Sequence, residues 1–212
     1  MLTVHHLGVS QSDRIVWLCE ELNISYELVR YERDPVSRLA PPEYRALHPF
    51  GTAPVITDGP LVLGESGAII EYIISRYGSG RLSIGPDQAN FADYLYWFHF
   101  ANGSFMPSAM IDLVLQLTAT EDTDTTRALR ARCDNAYNLV EQRLGATDYF
   151  AGSEFTAADI IMLFPLTTMR LFAPRDISSC SNIRAYLQQI AARPAYQRAM
   201  NKADPDLTPV LT

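Results

Sequence analysis

The spacing of apolar residues changes several times near the start of the chain, and each change predicts a new element. Leu2–Leu7 is a short apolar run typical of a strand. Apolar residues then recur at helical spacing over residues 15–22, and Asn23 ends the predicted helix. Residues 26–31 alternate and predict a second strand. A strand, a helix and a strand of this size imply a parallel pair with a right-handed crossover.

The next stretch predicts a short helix over residues 42–47, then a hairpin and another helix. Residues 55–57 are all β-branched, residues 58–60 are Asp-Gly-Pro, a turn signal, and residues 61–63 return as the partner strand. Gly64 allows a bend, after which a helix with a regular apolar stripe begins. The resulting order, β-α-β-α-β-β-α, is that of a thioredoxin-like domain. The stripe consists of Ile69, Ile70, Ile73 and Ile74.

Beyond residue 78 we find only helical patterns. Glycine and proline cluster over residues 78–86, which predicts a linker. We therefore predict an α+β thioredoxin-like domain over residues 1–77 and an all-helical domain over residues 87–212. The helices are expected over residues 87–117 (bent where Pro107 removes a donor), 126–144, 160–172, 182–192 and 194–202.

Two local features of the helical half complete this picture. Thr156 is followed three residues later by Asp159, close to a capping box, and it precedes a helix that is apolar all round. That helix is expected to be central and buried. The tail from residue 204 to residue 212 carries two prolines and is expected to be loosely held.

Composition narrows the possible functions. The chain has 212 residues, of which 48% are hydrophobic, so a packed core is expected. The net charge of −7 argues against nucleic acid and anionic membrane as partners. No apolar run is long enough to span a membrane, and no targeting signal is recognised at the N-terminus. Three scattered cysteines without metal-ligand spacing favour a reducing, cytoplasmic location and no metal.

Two features of the hairpin are typical of a peptide-binding site. Pro54 begins a strand but cannot donate to its ladder, so Ala53 is expected to pair with something other than the next strand. Glu65 and Ser66 lie where the free N–H groups of a helix start can bind a carboxylate. An extended peptide could pair with Ala53 and place its carboxylate at Ser66 and its ammonium at Glu65. The alternative is an ordinary hairpin in which Ser66 caps a helix.

The run over residues 48–72 resembles the glutathione-binding half of the cytosolic glutathione transferases. The resemblance is carried by the pattern Pro-Phe-Gly-Xaa-Xaa-Pro, the hairpin after it, and then Glu-Ser, Ala-Ile and Tyr. The helical half, with its stretch over residues 152–159, is similar to the second domain of that family. The resemblance implies a cis bond before Pro54, a γ-glutamyl group on Glu65 and Ser66, and a cysteinyl part paired with the backbone of Ala53.

The same resemblance leaves the glycyl end of glutathione open. Thr52 stands where relatives often carry Lys or Gln for the glycyl carboxylate, and it is shorter and uncharged. Arg38 or His48 is expected to compensate. For Arg38, a solvated loop charge is the alternative.

A glutathione transferase must ionise the thiol of glutathione. A free thiol has a pKa of about 8.5, and a hydrogen bond from a hydroxyl group lowers that pKa. Residues 10–14 read Ser-Gln-Ser-Asp-Arg and are similar to the serine-type classes of the family. The resemblance is to the theta- or phi-like kind, with fungal and bacterial relatives. This implies Ser10 as the donor, with Ser12 as the helix N-cap, although both could be caps. A serine hydrolase using Ser10 with a nearby His and Asp is disfavoured because no Gly-Xaa-Ser-Xaa-Gly elbow is present. Cys19 lies on an apolar face and is expected in the core.

The second substrate is expected beside the first long helix of the helical half, although most of its aromatic residues must be core or dimer interface. Four residues lie about a turn apart and could line an apolar pocket. Alternatively, Asn102 could reach glutathione across a dimer interface. The four residues are Phe98, Asn102, Phe105 and Met106.

We therefore predict a cytoplasmic, homodimeric glutathione transferase that conjugates glutathione, its co-substrate, to an apolar electrophile. A glutathione-dependent lyase, isomerase or peroxidase on the same site, or a binding protein that keeps the fold, is the alternative. The sequence does not name the electrophile.

Overall fold

The computed structural model describes all 212 residues, and internal contacts divide them into two units. The first unit contains residues 1–83 together with residues 192–209. The second contains residues 84–191 and residues 210–212. The last helix therefore packs within the first unit, whereas the predicted domain bounds assigned it to the helical half.

The first unit follows the predicted order of elements, and the β-α-β-α-β-β-α pattern is confirmed. Its sheet has the strand order β2-β1-β3-β4, in which β1 and β2 are parallel and the other neighbours are antiparallel. The elements are β1 (Leu2–Leu7), α1 (Asp13–Leu22), β2 (Glu27–Tyr31), α2 (Pro42–Arg45), β3 (Val55–Asp58), β4 (Leu61–Gly64) and α3 (Ser66–Arg76).

The register of the sheet brings three loops to one edge. His5 of β1 pairs with Val55 of β3, and Val55 pairs with Gly64 of β4. Because β3 runs antiparallel to both neighbours, the end of β1, the start of β3 and the end of β4 lie side by side. The loop over residues 8–12, the segment before Val55 and the start of α3 therefore meet at this edge.

Helix α9 (Pro194–Ala203) packs on α1 within the first unit. The rings of Trp17 and Tyr196 lie edge to face, with centroids 5.2 Å apart. Arg193 donates to both carboxylate oxygens of Glu21 at 2.7 and 2.8 Å. The expectation of a loosely held tail is wrong at its first residue, because Asp204 accepts a hydrogen bond from the Val9 amide at 3.0 Å.

The second unit is helical, as predicted, with two differences. The single helix expected over residues 87–117 is interrupted by a π-helical turn at Ala101–Phe105, which ends two residues before Pro107. The helix expected over residues 160–172 ends at Leu166, because Thr167 leaves the helical region of backbone angles. The helices are α4 (Phe91–Phe100), α5 (Met106–Leu117), α6 (Asp124–Ala146), α7 (Ala157–Leu166) and α8 (Ser181–Ala191), with a 3₁₀ turn at Thr168–Leu171.

The predicted capping box at the start of α7 is confirmed. The Thr156 hydroxyl accepts from the Ala158 amide, and Asp159 accepts from the Thr156 amide at 2.8 Å. Helix α7 is buried along its whole length, as the apolar pattern predicts. No helix of the protein combines the length and the apolar character needed to cross a membrane.

Candidate active site

Ser10 lies in the loop between β1 and α1, at the sheet edge where the three loops meet. Its hydroxyl donates to the Leu7 carbonyl at 2.6 Å and lies 2.8 Å from the Ser12 hydroxyl. The side chain of Ser10 is close to the surface, with 5% of the residue exposed, whereas Ser12 is 0% exposed. Of the two serines, Ser10 is therefore the one with surface accessible to solvent.

Ser12 stands at the N-cap position of α1, as predicted, but its side chain does not cap the helix. The residue already has helical backbone angles, and its side chain accepts no hydrogen bond from the first turn of the helix. The hydroxyl instead accepts from the Leu7 amide at 3.1 Å and bonds to Nδ1 of His6 at 2.9 Å. The side chain therefore fastens the loop to the end of β1.

The contacts of the two histidines weigh against a serine hydrolase. His6 bonds to the buried Ser12 rather than to Ser10, and His5 points to the opposite face of the sheet. There His5 bonds to the hydroxyls of Tyr31 and Thr57 at 3.2 and 3.1 Å. Ser10 therefore has no imidazole base within hydrogen-bond reach.

The segment before β3 has the peptide geometry that the resemblance implies. The bond between Ala53 and Pro54 is cis. Pro54 is buried, Ala53 is half-buried and Thr52 is exposed. The ladder of β3 begins only at Val55, so the backbone of Ala53 is outside the sheet.

Glu65 and Ser66 form the start of α3 beside this segment. Ser66 is the first helical residue and is 2% exposed, whereas Glu65 is exposed. Glu65 has a φ angle of 68°, a left-handed value that is costly for a residue with a side chain. Such strain is common at ligand sites, and here it turns the chain so that the helix start faces the sheet edge.

Arg14, which entered the sequence analysis only through its spacing from Ser10, contacts Ser66 at the start of α3. It is 1% exposed, and its Nη1 donates to Gln11 Oε1 at 2.9 Å and lies 3.5 Å from the Ser66 hydroxyl. Burial lowers the pKa of Arg14 to about 9, and the nearby Asp13 carboxylate partly opposes this shift. A charged residue directly before the apolar run over residues 15–19 was the available signal.

The two residues expected to replace a longer side chain at position 52 lie in different places. His48 packs against Gly64, where an added Cβ would approach its ring to 3.3 Å. It is therefore next to the start of α3. Arg38 is exposed and lines a polar cleft of about 240 Å³ with Gly8. The role of either residue at the glycyl end remains a prediction.

The four residues expected in the electrophile pocket belong to the second unit. Phe98, Phe105 and Met106 are buried there, and Asn102 is half-buried. The ring of Phe105 packs edge to face on Tyr137 at 4.9 Å, which is a core contact. The pocket assignment remains a prediction, for which Phe105 offers no exposed surface.

The remaining candidate groups of the chain add no second chemistry. Cys19 is buried in α1, as predicted for a core residue, and burial raises its thiol pKa far above the ordinary value. No group of three or more His, Cys, Asp or Glu residues is placed to hold a metal ion.

Comparison with known proteins gives the same family for both units. Residues 5–81 match the sequence family described as the glutathione S-transferase N-terminal domain. Residues 105–194 match the family described as the glutathione S-transferase C-terminal domain. Together the two matches cover most of the chain.

Individual relatives extend over nearly the full length. Glutathione S-transferase 3 of Schizosaccharomyces pombe is 33% identical over 96% of this chain and 88% of its own. Glutathione S-transferase 1 of Saccharomyces cerevisiae is 28% identical, covering 96% of this chain and 95% of the relative. The crystal structure of a glutathione S-transferase from Actinobacillus pleuropneumoniae superposes with a TM-score of 0.88 at 34% identity, over 96% and 93% of the two chains.

Proposed function

This chain belongs to the glutathione S-transferase family, and we propose that it conjugates the glutathione thiolate to an apolar electrophilic compound. The observation that supports this most is the shared sheet edge. It holds the Ser10 hydroxyl, the cis bond before Pro54 and the start of α3 together.

Glutathione binds along the segment before β3 in this proposal. Its cysteinyl backbone pairs with Ala53, which lies outside the sheet ladder. Its γ-glutamyl carboxylate binds at the start of α3, where Ser66 and the free helix N–H groups are donors. Glu65 accepts from the γ-glutamyl ammonium, and Arg14 adds positive charge behind Ser66.

The Ser10 hydroxyl activates the thiol. It donates a hydrogen bond to the sulfur, which stabilises the thiolate and lowers the thiol pKa below about 8.5. The thiol proton leaves to solvent, and the thiolate then attacks the electrophilic carbon. The carbon–sulfur bond forms and the leaving group departs with its bonding electrons, as halide in the case of an aryl halide. The serine-type, theta- or phi-like assignment depends on this role of Ser10.

Ser10→Ala tests the role. We expect Ser10→Ala to retain glutathione binding but to lose the depressed thiol pKa, measured by thiolate absorbance, and roughly 10²–10⁴-fold in turnover of a generic aryl halide. A loss below about threefold would move the role to another residue. Wild-type binding without a depressed thiol pKa or turnover would favour a binding protein over an enzyme.

The apolar substrate lies beside Asn102 and Met106 in this proposal, with Phe98 and Phe105 supporting them from the core of the second unit. Methionine suits a tolerant site because its side chain is flexible and polarisable. Conjugation of varied apolar compounds corresponds to a detoxifying role in the cytoplasm.

The proposal includes a homodimer. Large apolar side chains exposed on α4 and on α5 support an interface with a second copy, since exposed apolar surface often marks protein–protein contacts. Sedimentation velocity tests it: the wild type is expected as a dimer, and Tyr96→Lys combined with Val114→Lys as a monomer. The exposed residues are Leu95, Tyr96, Met110, Val114 and Leu117.

A further inference from the structure

A line of polar contacts runs inside the first unit from Asp204 to Ser10. The hydroxyls of Ser10 and Ser12 are 2.8 Å apart, and the Ser12 hydroxyl is 2.9 Å from Nδ1 of His6. Nε2 of His6 lies 3.2 Å from Oδ2 of Asp204, at ion-pair distance but without an aligned hydrogen bond. The conjugation chemistry described above uses neither His6 nor Asp204.

The line is shielded from water. His6 and Ser12 have no exposed surface, and the Asp204 side chain is only 9% exposed. Burial opposes ionisation of Asp204, but His6 and the Val9 amide outweigh it and hold the pKa of this carboxyl below its ordinary value. The His6 end of the line is therefore fully buried, whereas Asp204 is an anion with little exposed surface that lines the same polar cleft as Arg38. Hydrogen bonds in buried surroundings polarise one another more strongly than in water.

Asp204 is fixed at both ends. It directly follows α9, which is packed on α1, and its other oxygen, Oδ1, accepts from the amide of Val9 at 3.0 Å. Val9 adjoins Ser10 in the same loop. The carboxylate therefore fastens the loop as well as facing the imidazole.

The protonation of His6 sets the direction of the hydroxyl bonds. A carboxylate facing Nε2 favours a proton on that nitrogen. If Nδ1 is also protonated, it donates to Ser12, and Ser12 can then donate to Ser10. The Ser10 oxygen already accepts from the Ser12 amide at 3.3 Å, which suits it as the acceptor. Its own proton, which is donated to the Leu7 carbonyl at 2.6 Å, then turns from that carbonyl to the sulfur when glutathione binds.

We propose that His6 and Asp204 are positioning residues, which hold Ser12 as a donor to Ser10 and so direct the Ser10 hydroxyl at the glutathione sulfur. The proposal rests on the proposed role of Ser10 in thiol activation. No proton passes along the line: His6, Ser12 and Ser10 each keep their protons and only form hydrogen bonds.

Asp204→Asn tests the proposal, and Asp206→Asn is its matched control. The amide oxygen of the variant side chain can still accept from the Val9 amide, but the charge that faces His6 is lost. Asp206 lies two residues further along, is exposed, and loses the same charge. We expect Asp204→Asn to raise the pKa of the bound glutathione thiol by about half a unit to one unit. This corresponds roughly to the free energy of one hydrogen bond. Turnover should fall about fivefold with little change in glutathione affinity, and Asp206→Asn should match the wild type.

His6→Gln is the second variant, and thermal unfolding establishes that each variant is folded. If His6→Gln does not fold, Asp204→Asn alone decides. An unchanged thiol pKa in folded Asp204→Asn would overturn the proposal. So would equal shifts in Asp204→Asn and Asp206→Asn, because the effect would then be one of general charge.

The double variant Ser10→Ala with Asp204→Asn separates this proposal from the role of Ser10 itself. If Asp204 acts through Ser10, its effect on the thiol pKa should disappear once Ser10 is alanine. An effect that persists would mean that Asp204 acts by another route. A normal thiol pKa depression in Ser10→Ala alone would instead overturn the role of Ser10.

Discussion

The guanidinium of Arg14 lies 3.5 Å from the hydroxyl of Ser66, which joins the first turn of α1 to the first residue of α3. Both residues are almost fully buried. A positive charge is thus held directly behind a helix start, where the free N–H groups already favour an anion.

Replacement of Arg14 by Met should weaken glutathione binding by about tenfold to a hundredfold, because a charge-assisted contribution to the γ-glutamyl carboxylate is lost. Stability should also fall, because the buried Asp13 carboxylate and the Gln11 side-chain oxygen lose the positive charge that they face. Isothermal titration calorimetry and chemical denaturation measure the two effects. Arg76→Met, at the exposed end of α3, is the control. Unchanged affinity in Arg14→Met would remove Arg14 from the site.

Glu65→Gly should separate stability from binding. The left-handed φ of 68° costs a residue with a side chain about 1 kcal/mol, and glycine removes that cost. The variant should unfold at equal or higher denaturant concentration, yet bind glutathione at least about tenfold more weakly because the partner of the ammonium is lost.

Asn23→Gly is the matched control, since Asn23 ends α1 with a φ of 50° and is exposed. It should show the same relief of backbone strain, smaller because Asn tolerates this conformation, with wild-type binding. Wild-type affinity in Glu65→Gly would leave the strained residue without a role in glutathione recognition.

Asp159 should make the protein less stable as the pH rises. Burial raises the pKa of this carboxyl to about 6, although hydrogen bonds from Phe150, Thr156 and Tyr186 oppose the shift. Between pH values of about 4 and 6 the native state therefore binds more protons than the unfolded state, and the free energy of unfolding falls with rising pH. The total change is at most about 3 kcal/mol.

The measurement is urea denaturation of the wild type and Asp159→Asn across this range. The difference in unfolding free energy, wild type minus variant, should decrease from about pH 4 to about pH 7. Asp148→Asn, an exposed change in the same unit, should run parallel to the wild type. A constant difference between wild type and Asp159→Asn would show that Asp159 keeps the same charge in both states throughout.

Signals within a few residues of one another carried most of the fold. The hairpin turn after Asp58, the capping box at Thr156 and the order of the first seven elements were predicted correctly, because turn and cap chemistry act over three or four residues. The cis bond before Pro54 came from the family resemblance and matches the structure.

Helix ends were less predictable. The helix expected to continue through Pro107 contains a π-helical turn at Ala101–Phe105. The helix expected to reach Phe172 ends at Leu166. At both positions the helical spacing of apolar residues continues past the end of the α-helix. The local pattern therefore does not mark where the backbone leaves the α-helical form, which packing within the unit decides.

Ala53, Pro54, Glu65 and Ser66 could be chosen from the sequence because of their local backbone roles, and Ser10 because of the resemblance to the serine-type classes. The partners behind them could not. Arg14 meets Ser66, and Asp204 meets His6, only because α1 packs on α3 and α9 packs on α1. Contacts between residues so distant along the chain leave no periodic trace, since they depend on which buried faces come together rather than on neighbouring side chains.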